Sequence, residues 1–178
     1  MASVAEVNSA VADVNSAMSK LHTEFGALKD TIGIAFTLAD SYHAIIAASS
    51  LDNALELALL SKMRRLNSDM KVRIFEGYGP LSTFAGKIDI AYALEIIPHE
   101  FFESLRKINK VRVKFAHPKT FLTFEEPEIS VIIDSLPNLD LTIANRRERY
   151  VKKIGELKAY LERITKNRPD DQAIESPS

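Results

Sequence analysis

The central helices of the fold are predicted by residues 76–117, EGYGPLSTFAGKIDIAYALEIIPHEFFESLRKINKVRVKFAH. The first turn of this stretch holds Gly77, Gly79 and Pro80, and Pro98 separates the two apolar segments that follow. Glycine and proline are the strongest local breaks in a sequence, and each segment between them has the length of an ordinary helix. The pattern therefore predicts a helical hairpin inside a helix bundle.

The second helix of this hairpin carries an arginine on its apolar stripe. The apolar members of the stripe are Phe101, Leu105, Ile108 and Phe115. Arg112 falls on the same face, and a guanidinium stays charged, so it needs an acidic or carbonyl partner or an opening to solvent. Asp40 and Asp52 are the candidate partners, because both enter the apolar stretch that precedes the hairpin. Alternatively, Asp40 reaches solvent at the rim and Asp52 caps a helix.

Both ends of the chain have a heptad pattern. The N-terminal apolar positions alternate steps of three and four residues: Val4, Val7, Val11, Val14, Met18, Leu21, Phe25 and Leu28. This 3.5-residue period is typical of a coiled-coil seam, although a helix packed on its own bundle can show it too. We predict a homodimer in which the seam of residues 4–28 is at least partly intermolecular, with Phe25 as its anchor.

The remaining segments complete an all-α bundle with a long central helix and heptad-patterned terminal helices. Residues 31–66 are apolar on nearly every side, which predicts a buried central helix with a break near Ser49 and Ser50. Residues 63–71 read as a helix end or loop, and residues 121–124 as a short strand or a loop pinned to the core. Pro127 opens another helix, and a last helix covers about residues 141–165.

These elements divide into three parts. Residues 1–30 form the heptad helix, residues 31–166 a helical regulator-like domain, and residues 167–178 a polar tail that we expect to be disordered.

Composition and charge limit the kinds of functional site that we expect in this chain. The chain has 178 residues, a formal net charge of -1, no cysteine and four histidines, so we expect no disulfide, no metal site and no cofactor. The basic run of residues 146–153 is interleaved with glutamates, which is typical of a solvated, salt-bridged face. We find no signal peptide, no apolar run long enough to span a bilayer and no helix-turn-helix. A cytoplasmic protein without direct DNA or membrane binding is expected.

Four motifs resemble the mannitol operon repressor family of bacterial regulators. They are GPLSTF at residues 79–84, AYAL at 91–94, VRVKFAH at 111–117 and NRRERY at 145–150. The resemblance covers about residues 39–161 and is most specific in the first motif. It implies an all-helical fold and a role in transcriptional regulation, in a family without a recognisable DNA-binding motif. We therefore predict a repressor-like module that acts through protein partners.

The VRVKFAH motif also resembles the signature of the wider HEPN group of helical domains. That resemblance implies an alternative function, a metal-independent ribonuclease in which Arg112 binds the scissile phosphate and His117 transfers a proton. The sequence departs from the signature at Val113, where asparagine is common, and at Glu95, where relatives tend to have glycine. The other interpretation is structural: Arg112 pairs with an acid and His117 caps the helix end.

Overall fold

The computed structural model describes residues 4–117 and 122–166, and it does not describe the side chains of residues 4, 6–8, 10 and 11. Within these residues the chain forms six helices and no strand, so the predicted all-α class is confirmed. The helices are α1 (Val4–Lys62), α2 (Ser68–Phe75), α3 (Phe84–Ala93), α4 (His99–Ala116), α5 (Pro127–Asp134) and α6 (Arg146–Lys166). The predicted tail, residues 167–178, lies outside this description.

The chain divides into two compact units, Met1–Ala39 and Asp40–Ser178. The predicted break in α1 is wrong, because the helix continues through Ser49 and Ser50. Ser50 Oγ donates a hydrogen bond to the Ala47 carbonyl at 2.8 Å, so its hydroxyl is satisfied inside the helix. The serine pair therefore costs α1 little and does not end it.

The expectation that no apolar run is long enough to span a bilayer is wrong for part of α1. The helix between Ala12 and Lys62 is long and apolar enough to do so by length and composition. The core helix of a folded domain passes the same test, and 39% of the apolar window is buried inside the protein. Burial thus accounts for part of its apolar character.

The core of the unit Asp40–Ser178 is a continuous cluster of aliphatic and aromatic side chains from all six helices and from the loops between them. Three aromatic rings pack one against the next within it. The ring centroid of Phe124 lies 5.2 Å from that of Phe115 and 5.2 Å from that of Tyr150. Leu122 and Phe124 are buried although residues 122–126 form neither helix nor strand. The described part of the predicted strand or loop is therefore a loop pinned to the core.

Two helix starts differ from the sequence prediction. The short α2 was not predicted, and it begins after Asn67, whose side chain accepts a hydrogen bond from the Met70 N–H at 2.9 Å. Helix α6 begins at Arg146 and not near residue 141, because the Asn145 side chain accepts from the Glu148 N–H at 3.2 Å. Both caps use the asparagine side chain to satisfy an N–H that has no partner in the first turn.

The hairpin of α3 and α4 follows the predicted punctuation. Thr83 caps α3 by accepting the Gly86 N–H at 3.1 Å. At its other end, the N–H groups of Glu95 and Ile96 donate to the carbonyls of Tyr92 and Ala91, at 3.0 and 2.9 Å. This is a Schellman cap, which requires a left-handed residue, and Glu95 occupies that position with a φ of 55°. Glycine adopts this conformation freely, whereas glutamate does so at a cost of roughly 1 kcal/mol.

The turn before α3 depends on two glycines. Gly77 has a φ of 56°. A Cβ on Gly79 would lie 2.5 Å from the carbonyl oxygen of Ile74 and 2.6 Å from that of Arg73, and backbone atoms cannot move aside cheaply. The Leu81 N–H donates to the same Ile74 carbonyl at 2.9 Å, so the turn is fixed against α2.

We therefore expect Gly79→Ala to lower the free energy of unfolding by about 2 kcal/mol or more, because the added methyl group overlaps backbone atoms. Gly155→Ala is the matched control: it lies in α6 with nothing within 4 Å of an added Cβ, and alanine there should stabilise by about 1 kcal/mol. Urea unfolding monitored by circular dichroism gives both values. Equal effects of the two changes would contradict the close approach at Gly79.

Candidate functional site

The N-terminal unit, Met1–Ala39, presents the heptad seam. Every side chain from residue 12 to residue 36 is exposed. The seam members Val14 and Phe25 are 60% and 67% exposed, and Met18, Leu21 and Leu28 are also about half exposed or more. Large apolar side chains seldom stay contiguous in water unless a partner covers them. Val4, Val7 and Val11, the first three members of the predicted seam, lie outside the described side chains.

Asp40 is a buried anchor in the unit Asp40–Ser178, with 5% of its surface exposed. One of its carboxylate oxygens accepts the Phe124 N–H at 3.0 Å, and the other accepts from Nε of Arg147. A buried carboxylate is tolerated when its charge is paired and its lone pairs are used. Asp40 is thus neither a solvent-reaching rim residue nor the partner of Arg112.

Asp52 also has a different partner from the one predicted. Nζ of the buried Lys87 lies 3.0 Å from Asp52 Oδ1 and 2.8 Å from Glu56 Oε2. These two ion pairs join α3 to α1. Burial lowers the pKa of Lys87, but its hydrogen bond to Glu56 and its attraction to the carboxylates of Glu56 and Asp52 outweigh this effect, and the net pKa is raised. This contribution to stability is present at neutral pH and is lost only as the pH rises through the raised pKa.

Arg112 lies on the predicted stripe of α4, but it has no carboxylate partner among the described residues. Its Nε is buried without a hydrogen-bond partner there. The guanidinium lies near Tyr150, whose hydroxyl donates to the Ala44 carbonyl at 3.2 Å. Burial raises the pKa of Tyr150 well above its ordinary value, and the positive charge of Arg112 opposes that shift. Tyr150 is therefore neutral and cannot serve as the missing anion.

His117 lies at the end of α4. Its backbone N–H donates to the Val113 carbonyl at 3.2 Å, and its side chain is exposed. No hydrogen bond or ion pair joins His117 to Arg112 within the described residues. The ribonuclease assignment of this pair stays a prediction.

The glycine turn has a further property that the sequence analysis missed. Tyr78 stands between Gly77 and Gly79 and is fully exposed. The turn around it is fixed by the close approach of Gly79 to α2, and Pro80 follows directly. An exposed aromatic ring on a fixed backbone turn offers a large contact area to a partner. Only its position between two required glycines marks it in the sequence.

The basic run at the start of α6 is neutralised by nearby carboxylates. Arg146 pairs with Asp134 at 2.9 Å and also with Glu125. The other members of the run, Arg147, Arg149, Lys152 and Lys153, each lie within ion-pair distance of an acidic side chain. The hydrogen bond from Lys152 lowers the pKa of Asp140 to about 2. The run is thus a salt-bridged face and not an open cationic surface.

Comparison with known proteins gives one structural likeness. No protein-family model and no curated protein matches the chain. A chain of the X-ray structure of the MtlR-HPr complex from Escherichia coli is 20% identical, with a TM-score of 0.49 over 68% of this chain and 87% of that chain. Identity and TM-score are both too low to transfer fold or function from that complex to this protein.

Because Arg147 and not Arg112 pairs with Asp40, we expect opposite effects on stability when each arginine is replaced by methionine. Arg147→Met should lower the free energy of unfolding by about 2–3 kcal/mol, because it leaves the Asp40 charge buried, although the partly exposed arginine moderates the loss. Arg112→Met should leave stability unchanged or raise it, because a buried Nε without a partner costs about 1–3 kcal/mol.

Thermal melts measure both effects, and Arg147→Met should lower Tm by roughly 4–12 °C. Adding Asp40→Asn to Arg147→Met should recover part of that loss. If Arg112→Met proved the more damaging change, and Asp40→Asn rescued it instead, the assignment of Arg147 to Asp40 would be wrong.

Proposed function

We propose that this protein is a regulator-like helical module that acts through protein–protein contacts, and that its N-terminal helix pairs with a second copy of the chain. The observation that carries the proposal is the exposed heptad seam of the unit Met1–Ala39. The motif resemblance to the mannitol operon repressor family supports a role in transcriptional regulation. The ion-paired start of α6 favours contact with proteins over direct reading of DNA.

The seam residues favour a two-stranded parallel pairing. In the heptad register, the a positions are Val11, Met18, Phe25 and Ile32, and the d positions are Val14, Leu21 and Leu28. Two of the four a positions are β-branched and two of the three d positions are leucine, which is the combination that favours two parallel strands. The small Ala17 at a flanking g position leaves room for close approach of a second helix. The seam therefore has the composition of a dimer interface.

Charge complementarity supports the same arrangement. Glu24 occupies a g position and Lys29 the following e position, and neither belongs to an ion pair among the described residues. In a parallel, in-register dimer, Glu24 of one copy faces Lys29 of the second copy, and the twofold symmetry repeats this pair. An antiparallel arrangement places like positions opposite one another and loses both pairs. The seam is thus self-complementary in shape and in charge.

The mass of the full chain in solution tests this proposal. We expect light scattering to give twice the chain mass of 19.9 kDa, and Phe25→Asp to reduce it to a single chain. The charge would lie in the centre of the seam, where loss of an aromatic anchor typically costs about 2–4 kcal/mol of binding. Folding should be unaffected, because Phe25 is already 67% exposed in one chain.

Ser16→Asp is the matched control, since Ser16 is exposed and lies at an f position on the side of the helix opposite the seam. It should leave the dimer intact. A wild-type protein of single-chain mass, or a Phe25→Asp protein that remains a dimer, would remove the second copy as the occupant of the seam.

A further inference from the structure

The C-terminal end of α3 carries a carboxylate in an unfavourable place. Glu95 has a φ of 55°, and the other non-glycine residue with a positive φ in the described chain is Asn138, a type that tolerates this region well. Glu95 also puts a negative charge at the negative end of a helix dipole. Glycine would avoid both costs, so the glutamate side chain has no local structural advantage here.

The carboxylate of Glu95 is also without an internal partner. It takes part in none of the side-chain hydrogen bonds or ion pairs found in the described residues, although other acidic groups of α3 and α4 do. Glu103, for example, lies 3.8 Å from Nε2 of His99. A costly, exposed and unpaired charge in a strained position points to a group outside the chain.

Glu95 lines two adjoining surface cavities of about 570 Å³ and about 380 Å³. Tyr160 of α6 lines both cavities as well, and Tyr92, Pro98 and His99 line the larger one. The cavities therefore combine one carboxylate with aromatic walls at the junction of α3, α4 and α6.

The aromatic walls are held in place by their neighbours. Tyr92 stacks on Phe102 with ring centroids 4.4 Å apart, and its hydroxyl lies 3.1 Å from Nδ1 of His99. Tyr160 packs against Phe101 with centroids 4.3 Å apart. The walls are thus ordered before any ligand arrives, which lowers the entropic cost of binding.

We propose that this carboxylate and its two tyrosines form a binding site for a guanidinium group, an arginine side chain of a partner protein. A planar cation fits because it can pair with the carboxylate, meet the carbonyl end of α3 and contact tyrosine rings. Arg163 already places its guanidinium carbon 5.6 Å from the Tyr160 ring centroid, so this ring accepts such a group. The identity of the ligand as part of a protein rests on the proposed function, whereas the site itself does not.

The opposing charges nearby are Lys62, which lines the smaller cavity, and Arg163. Both reduce the attraction of the site for a cation at long range. Arg163 is also the internal group most directly able to compete with an arriving guanidinium. Removing the Arg163 charge should therefore strengthen or preserve guanidinium binding, whereas removing the Glu95 carboxylate should weaken it.

N-acetyl-arginine amide is a suitable probe, with the isosteric but neutral citrulline amide as its control. In NMR titrations of the full chain, we expect the Tyr92 and Tyr160 ring signals to shift saturably, with Kd on the order of 1 mM for a single side chain. Glu95→Gln should weaken binding by at least about tenfold, and citrulline amide should bind at least about tenfold more weakly. Arg163→Gln should bind the probe as tightly as wild type or more tightly.

A second readout separates binding from stability. Glu95→Gly should raise Tm by about 2 °C, because it relieves the backbone strain, while it abolishes probe binding. A purely structural glutamate would instead lose stability. Phe25→Asp should bind the probe like wild type, so failure of the seam proposal leaves this test intact. Absence of saturable shifts, equal binding of citrulline amide, or unchanged binding by Glu95→Gln or Glu95→Gly would overturn the site.

Discussion

The unit Asp40–Ser178 depends on the buried carboxylate of Asp40. One oxygen holds the loop before α5 through the Phe124 N–H, and the other holds α6 through Arg147. Because a buried charge must be paired, these bonds fix the positions of two elements that lie far from α1 in sequence. The aromatic series Phe115, Phe124 and Tyr150 packs beside this anchor, and Tyr150 returns a hydrogen bond to the Ala44 carbonyl of α1.

Sequence periodicity predicted the parts of the fold that are local. The α3 and α4 hairpin, the proline start of α5 and the buried stripe of α4 follow from residue spacing and from glycine and proline positions. Helix α2 was missed because it is only 8 residues long, and its signal is the single Asn67 cap. The start of α6 was placed too early because the apolar spacing extends back to Leu141, whereas the Asn145 cap fixes the first turn of the helix at Arg146.

The partners of buried charges could not be predicted in the same way. Spacing shows which face of a helix is apolar, but not which cation from a distant helix meets a given carboxylate. Asp40 and Arg147 are 107 positions apart, and Lys87 reaches Asp52 from a different helix. Arg112, for which the sequence required an acidic or carbonyl partner or an opening to solvent, is partly exposed and has a buried Nε without a hydrogen-bond partner among the described residues. Strain at Glu95 was likewise invisible, because a left-handed conformation depends on how α3 ends.

Two surfaces of different chemistry emerge, each within its own unit. The seam of Met1–Ala39 is apolar and self-complementary, which suits a second copy of the same chain. The two cavities at the end of α3 combine the single carboxylate of Glu95 with aromatic walls, and this combination is the basis of the proposed arginine site. Together the two proposals describe a regulator that works by protein contact, with one surface for a second copy of the chain and another for a partner protein.

Pairing of the N-terminal helices can be tested directly, because the chain contains no cysteine. In a parallel, in-register dimer, the two Leu21 side chains occupy facing d positions, so Leu21→Cys should oxidise rapidly to a covalent dimer. Ser16→Cys, on the outer face, should form little covalent dimer under the same mild oxidation. Non-reducing electrophoresis would show this difference. Equal cross-linking at both positions, or none at Leu21→Cys, would contradict the paired seam.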